Sequence, residues 1–133
     1  MIQNSYTAQR NVPMILFLEQ IQIKMVLLGA IDQGTSSTRF LVYESDSGEF
    51  VTSHQIEVRQ IFPQTGWVEM NPREIFDTVT SCINRVTENL NSMNIPVSEI
   101  VSIGIANQRE TTVVWDRATG KSLLLLPLAS RMR

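Results

Sequence analysis

The chain has 133 residues, of which 43% are hydrophobic, and its formal net charge is -2 at pH 7. This length corresponds to one domain with a modest core, and the small negative charge argues against a nucleic-acid surface, which needs a basic patch. The single cysteine, Cys82, excludes an intramolecular disulfide and is typical of a reducing cytosol. Cys82 falls within an apolar helical stripe, so we expect it to be buried.

The first 24 residues contain one short apolar stretch, 12–18, which polar residues end from Glu19 onward. Such a stretch cannot cross a bilayer, because a membrane-spanning helix needs about 20 apolar residues. No small-residue cleavage site of a secretory signal is evident, and the single arginine, Arg10, is too few for a typical mitochondrial presequence. We interpret residues 1–24 as an N-terminal extension and expect a cytoplasmic protein without a membrane span. Mitochondrial association is the weaker alternative.

Residues 26–44 are predicted to form two strands joined by a polar tip. The apolar run 26–30 has no polar alternation, which is typical of a strand buried on both faces. Asp32 ends that strand, Gly34 permits a tight turn, and residues 35–37 add three hydroxyls and three consecutive N–H donors. Such N–H groups can hold phosphate oxygens, and a carboxylate beside phosphates implies an intervening Mg²⁺. The alternative is an ordinary hairpin with Ser and Thr as turn residues.

A third strand is predicted within residues 49–60, followed by a loop at 63–67 and a helix. Asn71 is a suitable helix N-cap, Pro72 suits the first helical position, and Glu74 lies three residues beyond the cap. The apolar residues that follow recur at helical spacing and are predicted to form one buried face. They are Ile75, Phe76, Val79, Cys82, Ile83, Val86 and Leu90.

Two further strands are predicted at 100–106 and 111–115, which gives the element order β-β-β-α-β-β. Because a helix precedes the strand at 100–106, we expect that strand to run parallel to its sheet neighbour. Ligands of open α/β sheets bind beyond the carboxyl ends of such strands. Asp32 and the segment 107–110 (N-Q-R-E) both follow strand ends. We therefore expect them to border one cleft.

Three segments together resemble the N-terminal end of the glycerol kinases, which belong to the FGGY family of carbohydrate kinases. They are D-Q-G-T-S-S-T-R-F from Asp32, P-Q-T-G-W-V-E-M-N-P from Pro63 and N-Q-R-E-T-T-V-V-W from Asn107. The segments occur in the family's order, and the resemblance extends from Leu28 to about Lys121. It implies an α/β fold of the ribonuclease-H-like, actin/hexokinase type with a mixed sheet. It also implies ATP-dependent phosphorylation of glycerol to glycerol 3-phosphate, with ATP and Mg²⁺ as cofactors, and a homo-oligomeric full-length enzyme.

The resemblance also implies roles for individual residues. The positions that match the family's nucleotide-binding residues are Thr35, Ser36, Ser37 and Arg39. The adjacent Arg109 and Glu110 match the family's glycerol site, and a guanidinium fork beside a carboxylate supplies directional donors and acceptors for hydroxyl groups. A surface ion pair is the alternative interpretation of this pair. Asp32 is the expected Mg²⁺ ligand.

We divide the chain into an N-terminal extension (1–24), a partial N-terminal carbohydrate-kinase domain (25–121) and a divergent tail (122–133). The tail does not match the family, and its leucines have no evident partner. The family's catalytic base lies beyond this chain, so we expect no catalytic residue here and no activity of the chain alone. Two alternatives remain open. One is a non-catalytic fragment or isoform that binds the full-length enzyme, and the other is a kinase of another polyol or sugar.

Overall fold

A computed structural model describes residues 25–109 and 111–127, with side chains described as far as Ser122. The predicted extension, Glu110 and the end of the predicted tail lie outside this part. In chain order the elements are β1 (Leu27–Gln33), β2 (Ser37–Glu44), β3 (Phe50–Glu57), α1 (Pro72–Ser92), a 3₁₀ turn (Val97–Glu99), β4 (Ile100–Asn107), β5 (Thr111–Trp115) and β6 (Ser122–Pro127). Within the described ranges, no helix combines the length and apolarity that a membrane crossing requires.

The first four strands form one sheet in the order β3-β2-β1-β4. β1 pairs antiparallel with β2, β2 pairs antiparallel with β3, and β4 pairs parallel with β1. The predicted antiparallel meander and the parallel strand after a helical crossover are therefore both confirmed. β5 is not part of this sheet, because it pairs with β6 in a separate two-stranded hairpin.

The core lies between α1 and one face of the sheet, mainly over β2 and β3. Its buried residues are Leu27, Ile31, Phe40, Val42, Cys82, Val86 and Leu90. The Phe40 ring lies close to β1 at Gly29. A Cβ atom on residue 29 would lie 2.8 Å from the Phe40 ring and 3.1 Å from Ile103, so this position requires glycine. The predicted burial of Cys82 is confirmed, and this burial raises the pKa of its thiol above the ordinary value.

The expectation that β1 is buried on both faces is wrong for the described part of the chain. Leu27 and Ile31 point into the core, whereas Leu28 is 41% exposed and Ala30 is half-buried. An apolar run without polar alternation is also compatible with a strand that is covered on one face only. Among the described elements, α1 covers one face of the sheet.

The helix begins as predicted, with one difference in its first turn. The Asn71 Oδ1 atom accepts a hydrogen bond from the Arg73 N–H at 2.9 Å, and Pro72 occupies the first turn. Glu74 does not bond back to the cap residue. It accepts the Arg59 N–H at 3.0 Å and lies 3.8 Å from the Arg59 guanidinium, so it ties the helix start to the segment after β3.

The predicted apolar face of α1 is correct except at Phe76, which is 63% exposed. The buried positions are Thr78, Cys82, Val86 and Leu90, which are spaced four residues apart. Successive helical residues are rotated by about 100°, so Phe76 lies about 200° around the axis from Thr78. The buried row of α1 therefore includes a polar residue, Thr78, and Phe76 lies outside this row.

The backbone of Ser122–Pro127 has a partner, contrary to the expectation for the predicted tail. These residues form β6 and pair with β5 from Thr111↔Pro127 to Trp115↔Ser122. The connecting turn is closed by an Asp116 N–H bond to the Lys121 oxygen at 2.8 Å, and Gly120 adopts a φ of +68°. The Thr119 hydroxyl and N–H both bond to the Asp116 carboxylate, which holds the pKa of that carboxyl below its usual value.

The helix-facing side of the sheet remains uncovered at β4 in the described structure. Ile103 pairs with Gly29 and Ile105 pairs with Ile31, so both point to the same face as the core. They are nevertheless 46% and 74% exposed, because α1 lies over β2 and β3. β4 is also an edge strand of this sheet, and edge strands with exposed apolar residues favour association.

We expect the 133-residue chain to self-associate through β4, and Ile105→Lys to reduce this association without lowering the melting temperature. A buried isoleucine side chain is worth about 1.5–3 kcal/mol, so association should weaken roughly tenfold or more. Size-exclusion chromatography over a concentration series measures the effect. Ser53→Lys, which adds the same charge to the opposite edge strand β3, is the matched control. Equal effects of the two variants would contradict a β4 contact.

Candidate functional site

The two polar segments predicted to border one cleft leave the sheet at the same edge. β1 and β4 run parallel, and their register places Asp32 beside Ala106 and Gln33 beside Asn107. The hairpin tip, residues 34–37, follows β1 directly, and the loop with Arg109 follows β4 directly. The carboxyl ends of two neighbouring parallel strands therefore deliver both segments to one edge, where ligands of open α/β sheets bind.

Every backbone carbonyl of the hairpin tip accepts a hydrogen bond from the protein. The bonds are Gln33 Nε2 to Gly34 O (2.7 Å), Gln60 Nε2 to Thr35 O (3.0 Å), Val58 N to Ser36 O (2.9 Å) and Gly34 N to Ser37 O (2.9 Å). Two of the four donors come from the segment that follows β3. The negative ends of the tip's peptide dipoles are thus occupied by groups of the protein itself.

Two N–H groups of the tip, those of Thr35 and Ser36, differ from the carbonyl groups in this respect. Among the residues that the structure describes, no oxygen accepts a hydrogen bond from the N–H of Thr35 or Ser36, and both residues are exposed. Successive N–H groups without internal acceptors form a concavity that attracts anions. The backbone of the tip can therefore act as an anion-binding nest.

Gly34 closes the tip without using the conformational freedom of glycine. Its N–H bonds to the Ser37 oxygen, but the positive φ values among the described glycines occur at Gly48, Gly66 and Gly120. A Cβ atom on Gly34 would meet only the Ser37 oxygen, at an ordinary 3.4 Å. The turn itself therefore tolerates a side chain at this position.

Three polar side chains form a row across β1, β2 and β3 beside the tip. Asp32 pairs with Arg39, and Arg39 pairs with Gln55. The Arg39 Nε atom donates to Gln55 Oε1 at 2.9 Å, and the Arg39 Nη1 atom lies 3.7 Å from Asp32 Oδ2. Both charged side chains are about half exposed, so the ion pair is weak and leaves each group available to a ligand.

An open groove of about 460 Å³ runs along this side of the hairpin. It is lined by Ser36, Ser37, Arg39, Gln55, Glu57, Val58, Gln60 and Phe62. Three of the four predicted nucleotide-binding residues therefore line one groove, and the fourth, Thr35, lies at the adjacent tip. The Glu57 carboxylate also lines the groove, so the positive charge of Arg39 is not unopposed.

The loop after β4 places Arg109 on the surface and its neighbours partly inside. Arg109 is exposed, whereas the Gln108 Nε2 atom contacts the sulfur of the buried Met70 at 3.8 Å. Gln108 Oε1 and Thr111 Oγ1 are buried and have no hydrogen-bond partner within the described residues. Buried polar atoms without partners are costly, so each of these two oxygens would gain from a hydrogen-bond donor. Glu110, the second predicted glycerol contact, lies outside the described residues.

The described residues offer a metal ion one candidate ligand, a single carboxylate. Over residues 25–109 and 111–127, no group of three or more His, Cys, Asp or Glu side chains could hold a metal ion. Asp32 is half exposed at the edge where the anion-binding tip begins. Mg²⁺ is commonly bound through one or two carboxylates together with phosphates and water, so one carboxylate is compatible with Mg²⁺ that arrives with a nucleotide.

Three glutamines of this region were not predicted as site residues. Gln55 bonds the Arg39 guanidinium, Gln60 bonds the tip, and Gln108 joins its loop to Met70. A glutamine in a strand or loop has no sequence signature of its own, because exposed glutamines are common. Its role emerges only once the pairing register is known.

Two solved kinase structures share this architecture. A crystal structure of gluconate kinase from Lactobacillus acidophilus superimposes with a TM-score of 0.66 at 22% identity over 80% of this chain and 20% of that chain. The crystal structure of Plasmodium falciparum glycerol kinase with ADP gives a TM-score of 0.66 at 32% identity over 82% of this chain and 21% of that one. The fold is therefore the sugar-kinase type of the actin-like ATPase fold, in partial form.

The N-terminal domain of the FGGY family of carbohydrate kinases matches residues 27–127. This match covers most of the chain, and the chain belongs to that family. It includes β6, which the sequence assigns to the divergent tail. The division at residues 121 and 122 therefore stays a prediction.

Among curated proteins, this chain is similar to glycerol kinases. It is 66% identical over 99 residues to a probable glycerol kinase of Caenorhabditis elegans, covering 74% of this chain and 20% of that protein. It is 50% identical over 97 residues to a probable glycerol kinase of Dictyostelium discoideum, covering 72% and 18%. The chain thus spans about a fifth of the length of the curated relatives that it matches.

We expect the 133-residue chain to bind tripolyphosphate at the tip, with chemical-shift changes at the Thr35 and Ser36 amides in NMR titrations at fixed ionic strength. Arg39→Gln should weaken this binding by about 0.5–1.4 kcal/mol, or roughly two- to tenfold, because it removes a charge-assisted hydrogen bond. Arg85→Gln removes the same charge from α1, where Arg85 lines a different groove with His54 and Glu88, and is the matched control. Equal losses in both variants would indicate a non-specific charge effect.

Proposed function

We propose that this chain is the N-terminal part of a glycerol kinase, which transfers the γ-phosphoryl group of ATP to glycerol. The observation that carries the proposal is the delivery of an anion-binding tip and an Arg109 loop to one sheet edge by the parallel strands β1 and β4. Identity of 66% to the C. elegans protein, over 99 residues, supports glycerol over another polyol or sugar as the substrate. Because this chain covers a fifth of such proteins, the activity belongs to the complete enzyme.

In this proposal the hairpin tip holds the nucleotide phosphates. Thr35 and Ser36 are exposed, Ser37 lines the groove, and Arg39 supplies a positive charge in the same groove. The P. falciparum relative was solved with ADP, which supports nucleotide as the ligand of this edge. Phosphoryl transfer depends mainly on positioning and charge neutralisation, and the tip provides both at the phosphates.

Asp32 is proposed to hold Mg²⁺, directly or through a water molecule. Bound Mg²⁺ would neutralise charge on the nucleotide phosphates. Arg39 and Asp32 are close enough to compensate one another in the free protein, at 3.7 Å. A phosphate that engages Arg39 would leave Asp32 with an uncompensated negative charge, which favours a cation at that position.

Arg109 and Glu110 are proposed to bind the hydroxyl groups of glycerol. A small polyol has only hydroxyls, so its recognition requires fixed donors and acceptors. The exposed guanidinium of Arg109 supports a polar ligand at this loop. Asn107 and Gln108 then act on the loop conformation and do not contact the substrate.

The cellular location, the oligomeric state and the division of the chain are also proposals. A cytoplasmic location fits a single buried cysteine and the family's chemistry, and a homo-oligomeric complete enzyme is implied by the family resemblance. The division into residues 1–24, 25–121 and 122–133 is retained as our proposal. The exposed apolar residues of β4 support a second candidate, in which a chain of this length binds the full-length enzyme without catalysing a reaction.

We expect a chimera of the C. elegans protein, with its matching segment replaced by residues 27–127, to phosphorylate glycerol. In that chimera Arg109→Ala should lower kcat/KM for glycerol by about ten- to a hundredfold, because charge-assisted hydrogen bonds worth about 1.5–3 kcal/mol are lost. KM for ATP should change little. A coupled ADP-release assay measures both, with the 133-residue chain alone as the background.

Arg117→Ala, in the exposed turn between β5 and β6, is the matched control for Arg109→Ala. It removes an arginine side chain that also follows β4 in the sequence but lies outside the loop after β4. Glycerol kinetics that are unchanged in the Arg109 variant would assign this arginine to the protein surface and remove it from the substrate site.

Asp32→Asn in the same chimera should raise the Mg²⁺ concentration needed for half-maximal activity by about tenfold, or ~1.4 kcal/mol. The substitution removes the negative charge but keeps the side-chain shape. Titration with Mg²⁺ at constant ATP measures the shift, and Asp46→Asn, in the turn between β2 and β3, is the control. An identical Mg²⁺ dependence in wild type and variant would remove Asp32 from the metal site.

A further inference from the structure

We propose that Thr78, on α1, is a positioning residue for the hairpin tip and acts through Thr38 at the start of β2. The proposal rests on the proposed function, because it takes the tip to be the site of the nucleotide phosphates. The Thr38 and Thr78 hydroxyl oxygens lie 2.8 Å apart across 40 residues of sequence. Thr38 is fully buried and Thr78 is 7% exposed, so this bond is shielded from water.

The direction of the bond between the two hydroxyls follows from proton counting. The Thr78 hydroxyl donates its single proton to the Ile75 carbonyl at 2.7 Å, since a carbonyl oxygen can only accept. The proton between Thr38 and Thr78 must therefore come from Thr38. Both protons are used inside the protein, so Thr38 cannot donate to a phosphate. Of the four consecutive hydroxyl residues, Thr38 serves as the anchor, Thr35 and Ser36 are exposed to a ligand, and Ser37 is 7% exposed and lines the groove.

A second contact from α1 holds the backbone of Thr38. The Cys82 thiol, one helical turn beyond Thr78, lies 3.5 Å from the Thr38 carbonyl oxygen as a donor. Residues four apart lie on the same helix face, so Thr78 and Cys82 hold one residue of β2 by its side chain and its backbone. Thr38 also pairs with Gln33 on β1, which closes the base of the tip. The helix therefore fixes the point at which the chain leaves the tip.

This arrangement predicts an effect on ligand binding as well as on stability. The nest at Thr35 and Ser36 works only if its N–H groups converge on one point, and small misplacements of binding groups can cost up to about a hundredfold. Loss of the buried hydroxyl at Thr78 leaves the Thr38 donor unsatisfied and frees the base of the tip. Arg109 lies at the end of β4, away from the part of the sheet that α1 covers. Glycerol binding should therefore be unaffected.

The test uses the 133-residue chain and its affinity for tripolyphosphate, measured by the Thr35 and Ser36 amide shifts. We expect Thr78→Val, which keeps the shape and removes the hydroxyl, to weaken binding about three- to tenfold. Thr78→Ser restores the hydroxyl and should restore most of the affinity. Thr80→Val is the matched control, since Thr80 makes the same kind of bond to a helix carbonyl (Phe76 O, 3.1 Å) on the exposed face.

The outcomes separate this proposal from the proposed function. Wild-type chain that does not bind tripolyphosphate would overturn the phosphate role of the tip. Normal wild-type binding with an equal affinity of Thr78→Val would overturn the positioning role, even if the melting temperature falls. Failure of Thr78→Ser to restore the affinity would also overturn it, because shape and not the hydroxyl would then be responsible.

A second variant keeps the test decisive if Thr78→Val does not fold. Cys82→Ala removes the contact with the Thr38 carbonyl together with the core packing of one sulfur atom, and should weaken tripolyphosphate binding about twofold. In the glycerol-phosphorylating chimera the same variants should raise KM for ATP and leave KM for glycerol unchanged. Equal increases in both KM values would indicate general loosening of the domain and would overturn the proposal.

Discussion

The parallel pairing of β1 with β4 is the constraint on which the candidate site depends. Antiparallel neighbours can be joined by a short hairpin, whereas a parallel pair needs a long crossover, which is provided here by α1 and the 3₁₀ turn. The shared direction brings Gln33 beside Asn107, so the tip and the Arg109 loop emerge together. The helix that makes this crossover also contacts the base of the tip through Thr78. The helix α1 therefore determines both the position of β4 and the geometry of the hairpin tip after β1.

The hairpin tip shows how a short polar run acquires different roles at successive positions. Thr38 faces the core side of the sheet with Phe40, whereas Ser37 and Arg39 face the groove, because side chains alternate along a strand. Protein donors occupy the carbonyl oxygens of the tip, which leaves the N–H groups as its outward polar surface. The anion preference that we propose for the tip would therefore arise from the hydrogen bonds to its carbonyl oxygens and not from glycine flexibility.

Local sequence signals predicted the elements well, and the failures lie in long-range packing. The meander, the Asn71 cap and the parallel crossover were predicted because each depends on neighbouring residues or on a topological rule. The exposure of Phe76 depends on where α1 sits over the sheet, and the Glu74 contact depends on the segment after β3. The pairing of β6 was missed because its leucine run lacks alternation. The contact of Gln55 depends on strand register and that of Gln60 on the path of the segment after β3, and no local pattern specifies either.

The two halves of the candidate site differ in how far they depend on the rest of the enzyme. Hydrogen bonds from β1, β3, α1 and the segment after β3 define the tip, and all of them lie within the described chain. The Arg109 loop instead follows β4, whose Ile103 and Ile105 are exposed on the face that α1 leaves uncovered. Polar oxygens in that loop also lack partners in the part of the chain that the structure describes. In our proposal, this chain can therefore bind phosphate by itself, whereas polyol binding would require the remaining four-fifths of a complete kinase to cover β4 and complete the pocket.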